Sequence, residues 1–465
     1  MDFWPLTNGY CAIMSGCLLE DCAMEEKKWA ELTPFERRER RYQWWLNPDA
    51  KFSSPEAEKK YKERALRFIQ AYRVEKPDRV PVSLPVSNWP AYLAGMDLHT
   101  VCYDYGKIKD AWIKFHQQFD PDLAVSPFLV LPGRIYDLMD YKLYSWPGHG
   151  IPRSASGIQF VEGEYMMEDE YDLLIKDPSD FWMRTYIPRV FGAFTSWKNL
   201  NPFTSIIEAP AAWFMPYTSP ELQASAQKLI DLGKELAVWS KMLGEVGLWT
   251  QSAGYPAGRS LLAKAPFDTI GDTLRGTKGI IMDMYRRPGK LLEAIDVVTD
   301  FTIRQTVAAA HASKALTAMF PLHKGADGFM SPKQFEKFYW PSLKKVVDAL
   351  TKEGIRSELF AEGTYTSRLE TVNEFAKGDV GWLFDKTDMA KAKQILGKTC
   401  CISGNVPTSL VVTGDYKMVK DYCKNLIETC APGGGFVLAG GAHVDVGNPE
   451  TLRAMLDAAK EYGTY

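Results

Sequence analysis

From Ala315 onward, short apolar runs alternate with longer segments of helical periodicity. Leu316–Leu322 (LTAMFPL) stops at His323-Lys324-Gly325, and Ile355–Ala361 stops at Glu362-Gly363. Asp379–Asp385 (DVGWLFD) ends in a carboxylate, Thr399–Asn405 (TCCISGN) in a carboxamide, and Gly435–His443 (GFVLAGGAH) in an imidazole. Continuous apolar runs of this length, bounded by polar and glycine signals, predict strands buried on both faces. Between them, Ser331-Pro332 carries an N-cap followed by proline at the first helical position. Phe335, Phe338, Leu343, Val346, Val347 and Leu350 mark the apolar side of that helix, Gly354 closes it, and Pro341 is expected to bend it.

Upstream the pattern is looser. Val80–Val86 (VPVSLPV) predicts a first strand, Leu123–Leu131 (LAVSPFLVL) a second and Val246–Gln251 (VGLWTQ) another, while Glu162–Asp169 predicts a hairpin or insertion. The glycine- and charge-rich stretch 265–290 predicts a lid or an irregular capping loop with a short helix. Residues 1–75 differ: Thr33-Pro34-Phe35-Glu36 is a helix start, and Arg37–Arg41 followed by Trp44-Trp45 suits a packed amphipathic helix. The expected fold is an α/β (β/α)8 (TIM) barrel over 76–465, with 1–75 as an N-terminal helical extension and no linker between two separate units.

Composition narrows the function. The 465 residues are 46% hydrophobic and 24% charged, with a formal net charge of -3, so neither nucleic acid nor a membrane surface is an expected partner, and a cytoplasmic location is expected. Eight cysteines do not build a disulfide scaffold in a chain this long. Cys11, Cys17 and Cys22 lack zinc-knuckle spacing, and Cys400-Cys401 lie in an apolar strand. Because a barrel rim gathers strand ends, His323, Glu362, Asp385, Asn405 and His443 are expected in one polar pocket. Glu362, His323 and His443 together offer a three-ligand zinc site with an open position, or a metal-free centre for proton transfer. Arg275, flanked by glycines, is a candidate anchor for an anionic substrate group.

Several stretches in this order resemble the uroporphyrinogen decarboxylase superfamily: Lys76-Pro77-Asp78-Arg79-Val80-Pro81-Val82, Ser331-Pro332 with Phe335 and Pro341, Phe360-Ala361-Glu362-Gly363, Gly404-Asn405-Val406-Pro407, and Asn448-Pro449-Glu450, over about Glu75 to Met455. The resemblance implies a (β/α)8 barrel and one of two chemistries, decarboxylation of porphyrinogens or methyl transfer with a corrinoid protein or thiol acceptor. Decarboxylases of the family carry an arginine-rich loop after the first strand; here that place is Pro85-Val86-Ser87-Asn88-Trp89-Pro90, without arginine. The methyltransferase branch holds zinc through a His-x-Cys pair and a second cysteine, and the matching positions here are Phe360, Glu362 and Ala442 or His443. The expectation is therefore a corrinoid-dependent methyltransferase that moves a methyl group between a small methylated substrate and cobalamin or a separate corrinoid protein. In it Glu362, His323, His443 and Asp385 are catalytic, and Asn405, Arg275, Asn88 and Trp89 line the substrate. A decarboxylase with an altered substrate and a non-catalytic corrinoid or tetrapyrrole carrier are the alternatives, and a homodimer is the assembly to test.

Overall fold

The computed structural model describes residues 27–465, so Cys11, Cys17 and Cys22 lie outside the described residues. Its main sheet holds seven parallel strands: β1 (Val82–Ser83), β5 (Ser260–Leu262), β6 (Thr317–Leu322), β7 (Arg356–Ala361), β8 (Val380–Phe384), β9 (Cys401–Val406) and β10 (Phe436–Gly440). A small separate sheet pairs β2 (Tyr144–Pro147) with β3 (Gly150–Ile151) and β4 (Gln159–Phe160). The large sheet runs β1-β10-β9-β8-β7-β6-β5, so each strand from β5 to β10 lies beside its successor and the last returns to the first. That order, with helices on the outside, is the wrapping of a TIM-like barrel.

Seven strands form the ladder, and the second position is filled without one. Leu123–Leu131 was expected as a strand. Instead, the Asp122 side chain accepts a hydrogen bond from the Val82 N–H at 3.0 Å, and the Ala124 N–H donates to the Pro256 carbonyl at 2.9 Å. The segment thus lies between β1 and the approach to β5, and Pro127–Leu129 then turns into a short 3₁₀ helix. Proline at 127 removes a ladder donor, which is one reason the apolar run does not continue as a strand. The Val246–Gln251 expectation also fails. Those residues end the helix Pro220–Ser252, where Leu232, Trp239, Met242, Val246 and Thr250 recur at helical spacing as its buried side. Glu162–Asp169 contains no hairpin, and 265–290 is mostly helical: Pro266–Asp268 continues through a π-helical turn, Thr269–Leu274, into Gly276–Arg286.

The helical start signals hold. Thr33 caps Pro34–Leu46 and Ser331 caps Pro332–Gln334, each with a reciprocal side-chain bond from the third residue. Downstream, Pro341 cannot donate an N–H and crowds the preceding turn. The chain answers with a π-helical turn over Phe335–Tyr339 before Trp340–Lys352 resumes, so the expected bend takes that form.

The helices Pro34–Leu46 and Pro55–Tyr72 cover the N-terminal mouth of the barrel. Tyr42, Trp45, Tyr61 and Phe68 form one apolar cluster with Leu316, Cys401 and Val437, which lie at or beside the starts of β6, β9 and β10. Polar ties hold the same face: Trp45 Nε1 donates to the Ala257 carbonyl at 2.6 Å and Arg41 to the Ala315 carbonyl at 2.6 Å. No helix among the described residues is long and apolar enough to cross a membrane.

Candidate active site on the C-terminal rim

Parallel register builds the site. Leu322 pairs with Ala361, Ala361 with Phe384, and Phe384 with Gly404. The next residue on each strand is therefore at one level, so His323, Glu362, Asp385 and Asn405 form a tier across four neighbouring strands, spaced by the ~4.8 Å between strands. His443 follows β10 by three residues and sits higher, in the loop.

His323 is the centre of this tier. Its Nδ1 is 2.5 Å from Asp272 Oδ2, and its Nε2 is 3.5 Å from Glu362 Oε1. Desolvation works against charge on the ring, but the hydrogen bonds to Asp272 and Glu362 outweigh it and push the pKa up to about 10. The ring is an imidazolium at neutral pH. Asp272 also receives Lys264 Nζ at 2.8 Å and Lys324 Nζ at 3.1 Å. Despite burial, the His323 hydrogen bond and the Lys264 ammonium hold its carboxyl well below the usual carboxylate range.

Beneath lies Asp268, fully buried. It accepts from the His323 N–H at 3.1 Å, the Lys324 N–H at 3.0 Å and the Tyr339 hydroxyl at 2.7 Å. Burial, and after it the nearby Asp272 charge, raise its pKa to about 6. Asp268 immediately precedes the π-helical turn Thr269–Leu274 and Asp272, four residues on, lies within it, and Tyr339 ends a second such turn. Widened turns of this kind recur where side chains must be re-aimed.

The other expected residues divide. Asp385 Oδ2 accepts from the Gly363 N–H at 3.1 Å, and Asn405 Nδ2 donates to the Thr387 carbonyl at 2.9 Å, so both sit on the tier and tie it to neighbouring loops. They also line a cavity of about 690 Å³ that reaches Tyr422 and Asn425. His443 keeps an exposed edge but is otherwise recessed among protein atoms. That desolvation lowers its pKa against the pull of Asp445 and Glu362, and it is mainly neutral at pH 7. Asn88 is buried, and its N–H and Nδ2 both donate to Asp445 Oδ1, at 2.9 and 3.1 Å.

Three expectations are corrected. Trp89 is 1% exposed and belongs to the main core, so its indole packs and has no free face for a ligand. Arg275 is 3% exposed, donates to Asp283 Oδ2 at 2.6 Å, and also bonds Glu164 and the Met166 carbonyl. It is a structural tie, its donors spent on protein acceptors. The zinc set also fails: among the described residues no three His, Cys, Asp or Glu side chains are gathered to hold a metal ion.

Sequence reasoning missed Lys264, Asp268, Asp272, Lys324 and Tyr339. The signal for the two aspartates was their four-residue spacing in Ala265-Pro266-Phe267-Asp268-Thr269-Ile270-Gly271-Asp272, concealed by the glycine that suggested a loop.

A titratable tier at the C-terminal ends of parallel strands is the active-site arrangement of (β/α)8-type barrels. Residues 262–462 match the family model described as uroporphyrinogen decarboxylase (URO-D), in line with the resemblance seen in the sequence, although the matched stretch begins well after Glu75. Among curated proteins, the chain is 30% identical over 128 residues to the uroporphyrinogen decarboxylase of Geobacter metallireducens, covering 27% of this chain and 36% of the relative. It is 29% identical over 144 residues to that of Geobacter sulfurreducens, covering 30% and 41%. The chain thus matches well under half the length of these relatives. A methyltransferase from Methanosarcina mazei shares the fold, with a TM-score of 0.55 and 15% identity over 86% of this chain and 98% of that one.

Proposed function

We infer that the chain is a methyltransferase that demethylates a small ether- or amine-type substrate, with a corrinoid, free or carried on a separate protein, as methyl acceptor. The observation that carries this is the His323 imidazolium, held at Nδ1 by Asp272 and presenting Nε2–H beside Glu362. Demethylation breaks a bond between carbon and a heteroatom, and both electrons stay on the heteroatom. A positioned acid that protonates it lowers that barrier. His323 supplies the proton, directly or through Glu362, and recovers it from solvent. Asp272 keeps the ring oriented and favours its return to the cationic form after the proton has left, and Lys264 and Lys324 keep Asp272 ionised.

Asp385 and Asn405 orient the substrate from the same tier. His443, neutral at the mouth, accepts a proton or a hydrogen bond. The corrinoid supplies the nucleophile that takes the methyl group. Access suits so large a co-substrate, because His323 and Glu362 keep 36% and 41% of their side-chain surfaces open to solvent. No step here uses zinc.

A second reading, decarboxylation of an altered substrate, is favoured by the names of the curated relatives. In it the His323 proton goes to the carbon that loses carboxylate. The loop Pro85–Pro90 counts against a polycarboxylate substrate, since it offers no guanidinium.

The test is to mix purified protein with reduced cobalamin and a panel of aryl methyl ethers and methylamines. A change in the cobalt spectrum, lost in Glu362→Gln, supports methyl transfer. Carbon dioxide release from carboxylated substrates without that change supports the second reading. Tight cobalamin binding with neither reaction would identify a carrier.

A further inference from the structure

Register also fixes which side chains face the barrel axis below the reactive tier. Leu262, Met319, Glu358 and Gly381 pair across β5 to β8, and Pro321, Phe360 and Leu383 pair across β6 to β8 one level higher. All have the parity of His323, Glu362 and Asp385, so they point inward with them. In a packed (β/α)8 barrel such positions fill the interior in layers. Here Leu262 is 66% exposed and Met319, Pro321, Glu358 and Leu383 are each partly exposed, whereas the outward-facing Phe320, Leu359, Ala361 and Trp382 between them are buried. The lumen is therefore a shaft open to solvent along the arc from β5 to β8, with an apolar wall directly beneath His323 and Glu362.

The floor of the shaft is charged. Arg356 is buried, its Cζ 4.1 Å from the Tyr72 ring centroid, and its Nη1 donates to Glu358 Oε2. A Cβ on Gly381 would meet Arg356 Nη2 at 1.6 Å and Glu358 Oε2 at 2.6 Å, so glycine makes the room for this pair. Glu358 Oε1 has no hydrogen-bond partner among the described residues, and the side chain is 17% exposed. A buried Arg–Glu pair is a weak source of stability, but a carboxylate oxygen left open at the end of an apolar shaft is a recognition group. Glu358 and Glu362 lie four residues apart on one face of β7, a separation of ~13 Å. Two hydrogen bonds leave roughly 7–8 Å between the polar ends of a molecule that spans them. A benzene ring with an oxygen on one side and a two-carbon hydroxyalkyl arm opposite has that span.

We propose that Glu358 is a specificity-determining residue, which accepts a hydrogen bond from an uncharged hydroxyl at the far end of an aromatic methyl ether whose methoxy group lies at His323 and Glu362. This rests on the methyl-transfer reading of the tier. Arg356 already neutralises the carboxylate, so an ammonium gains little over a hydroxyl, and a substrate carboxylate would meet the Glu358 oxygen with no donor between them.

The test is calorimetric titration of the full chain, without corrinoid, with three probes of one shape: 2-(4-methoxyphenyl)ethanol, 4-propylanisole, in which a methyl replaces the hydroxyl, and 4-methoxyphenylacetate. The alcohol should bind at least about tenfold more tightly than either of the others. In Glu358→Gln the remaining oxygen stays on Arg356 and an amide N–H faces the shaft, so the preference for alcohol over carboxylate should fall at least about tenfold, a switch that loss of folding could not produce. Leu262→Trp, at a side chain already 66% exposed, should weaken all three probes with unchanged circular dichroism, and it decides the matter with the wild-type series if Glu358→Gln does not fold. Failure of the alcohol to bind, equal affinities for the three probes, a Glu358→Gln loss shared equally among them, or binding indifferent to Leu262→Trp would each overturn the proposal. No methyl group moves in this experiment, so selective binding without a cobalt spectral change would overturn the methyl-transfer reading alone, and turnover without the selectivity would overturn Glu358 alone.

Discussion

Replacing Asp272 with asparagine removes the charge that keeps His323 protonated and leaves the geometry nearly unchanged. Asp272 meets His323 at 2.5 Å, Lys264 at 2.8 Å and Lys324 at 3.1 Å, so the variant leaves three cations facing a neutral amide. The His323 pKa should fall from about 10 toward the ordinary 6.5, with Glu362 and the Asp268 charge holding part of the elevation. A histidine raised in the folded state stabilises fully below pH 6.5 and loses that contribution as pH climbs through 10. Unscreened, the shift would correspond to nearly 5 kcal/mol, but the ring is 36% exposed, and screening by water reduces the expected loss between pH 6.5 and 10 to about 1–2 kcal/mol. In Asp272→Asn that slope should flatten. The baseline should also drop, by about 1–3 kcal/mol, because Lys324, itself nearly buried, keeps only the Thr277 hydroxyl and the more distant Glu162 as partners. The chain has six histidines, so imidazole resonances titrated by NMR, with His323→Gln to assign the signal, report the pKa directly. Urea unfolding from pH 6 to 10 gives the energies. A His323 that titrates near 6.5 in the wild type, or unchanged in Asp272→Asn, would refute the clamp.

Three further outcomes are expected. Glu362→Gln should keep the fold, since the side chain is 41% exposed, and lower turnover by about 10²-fold or more in a single-turnover assay under the proposed chemistry. Arg275→Ala should cost about 2–4 kcal/mol in a urea melt by leaving fully buried Asp283 with only Tyr171 and Arg287 as partners, while leaving substrate affinity unchanged in protein that folds. Ser331→Ala removes the cap from Gln334 and should lower thermal stability by about 1 kcal/mol with no effect on activity.

Much of the C-terminal half was legible because parallel strands buried on both faces leave a plain record: an apolar run, then a polar residue where the run meets solvent. His323, Glu362, Asp385 and Asn405 were found that way, and register explains why they form a tier. Asp268 and Asp272 were not, because their place depends on a π-helical turn, and such a turn has no apolar periodicity to reveal it. Val246–Gln251 misled because Val and Trp suit strands as well as helices over six residues; only the spacing back to Leu232 and Trp239 separates the two. Trp89 and Arg275 failed for a shared reason. Both occupy segments that sequence alone marks as rim loops, and whether a side chain there turns outward or inward is decided by partners distant in the chain, such as Asp283 for Arg275.

The ladderless second position changes how the barrel tolerates alteration. The polypeptide leaves the wall near Asp122 and rejoins it near Pro256, and the two points are bridged by a single backbone hydrogen bond, from Ala124. The excursion is tied back to the body by side chains, Arg275 to Glu164 and the Met166 carbonyl and Tyr171 to Asp283, while the reactive tier occupies the arc from β6 to β9, whose ladders are continuous. The barrel therefore behaves as a split ring with its working parts on the unbroken side. Beyond those ties, as over 203–217, the excursion can lengthen, shorten or change its surface without moving His323 relative to Glu362, because no hydrogen-bonded strand transmits the change across the gap.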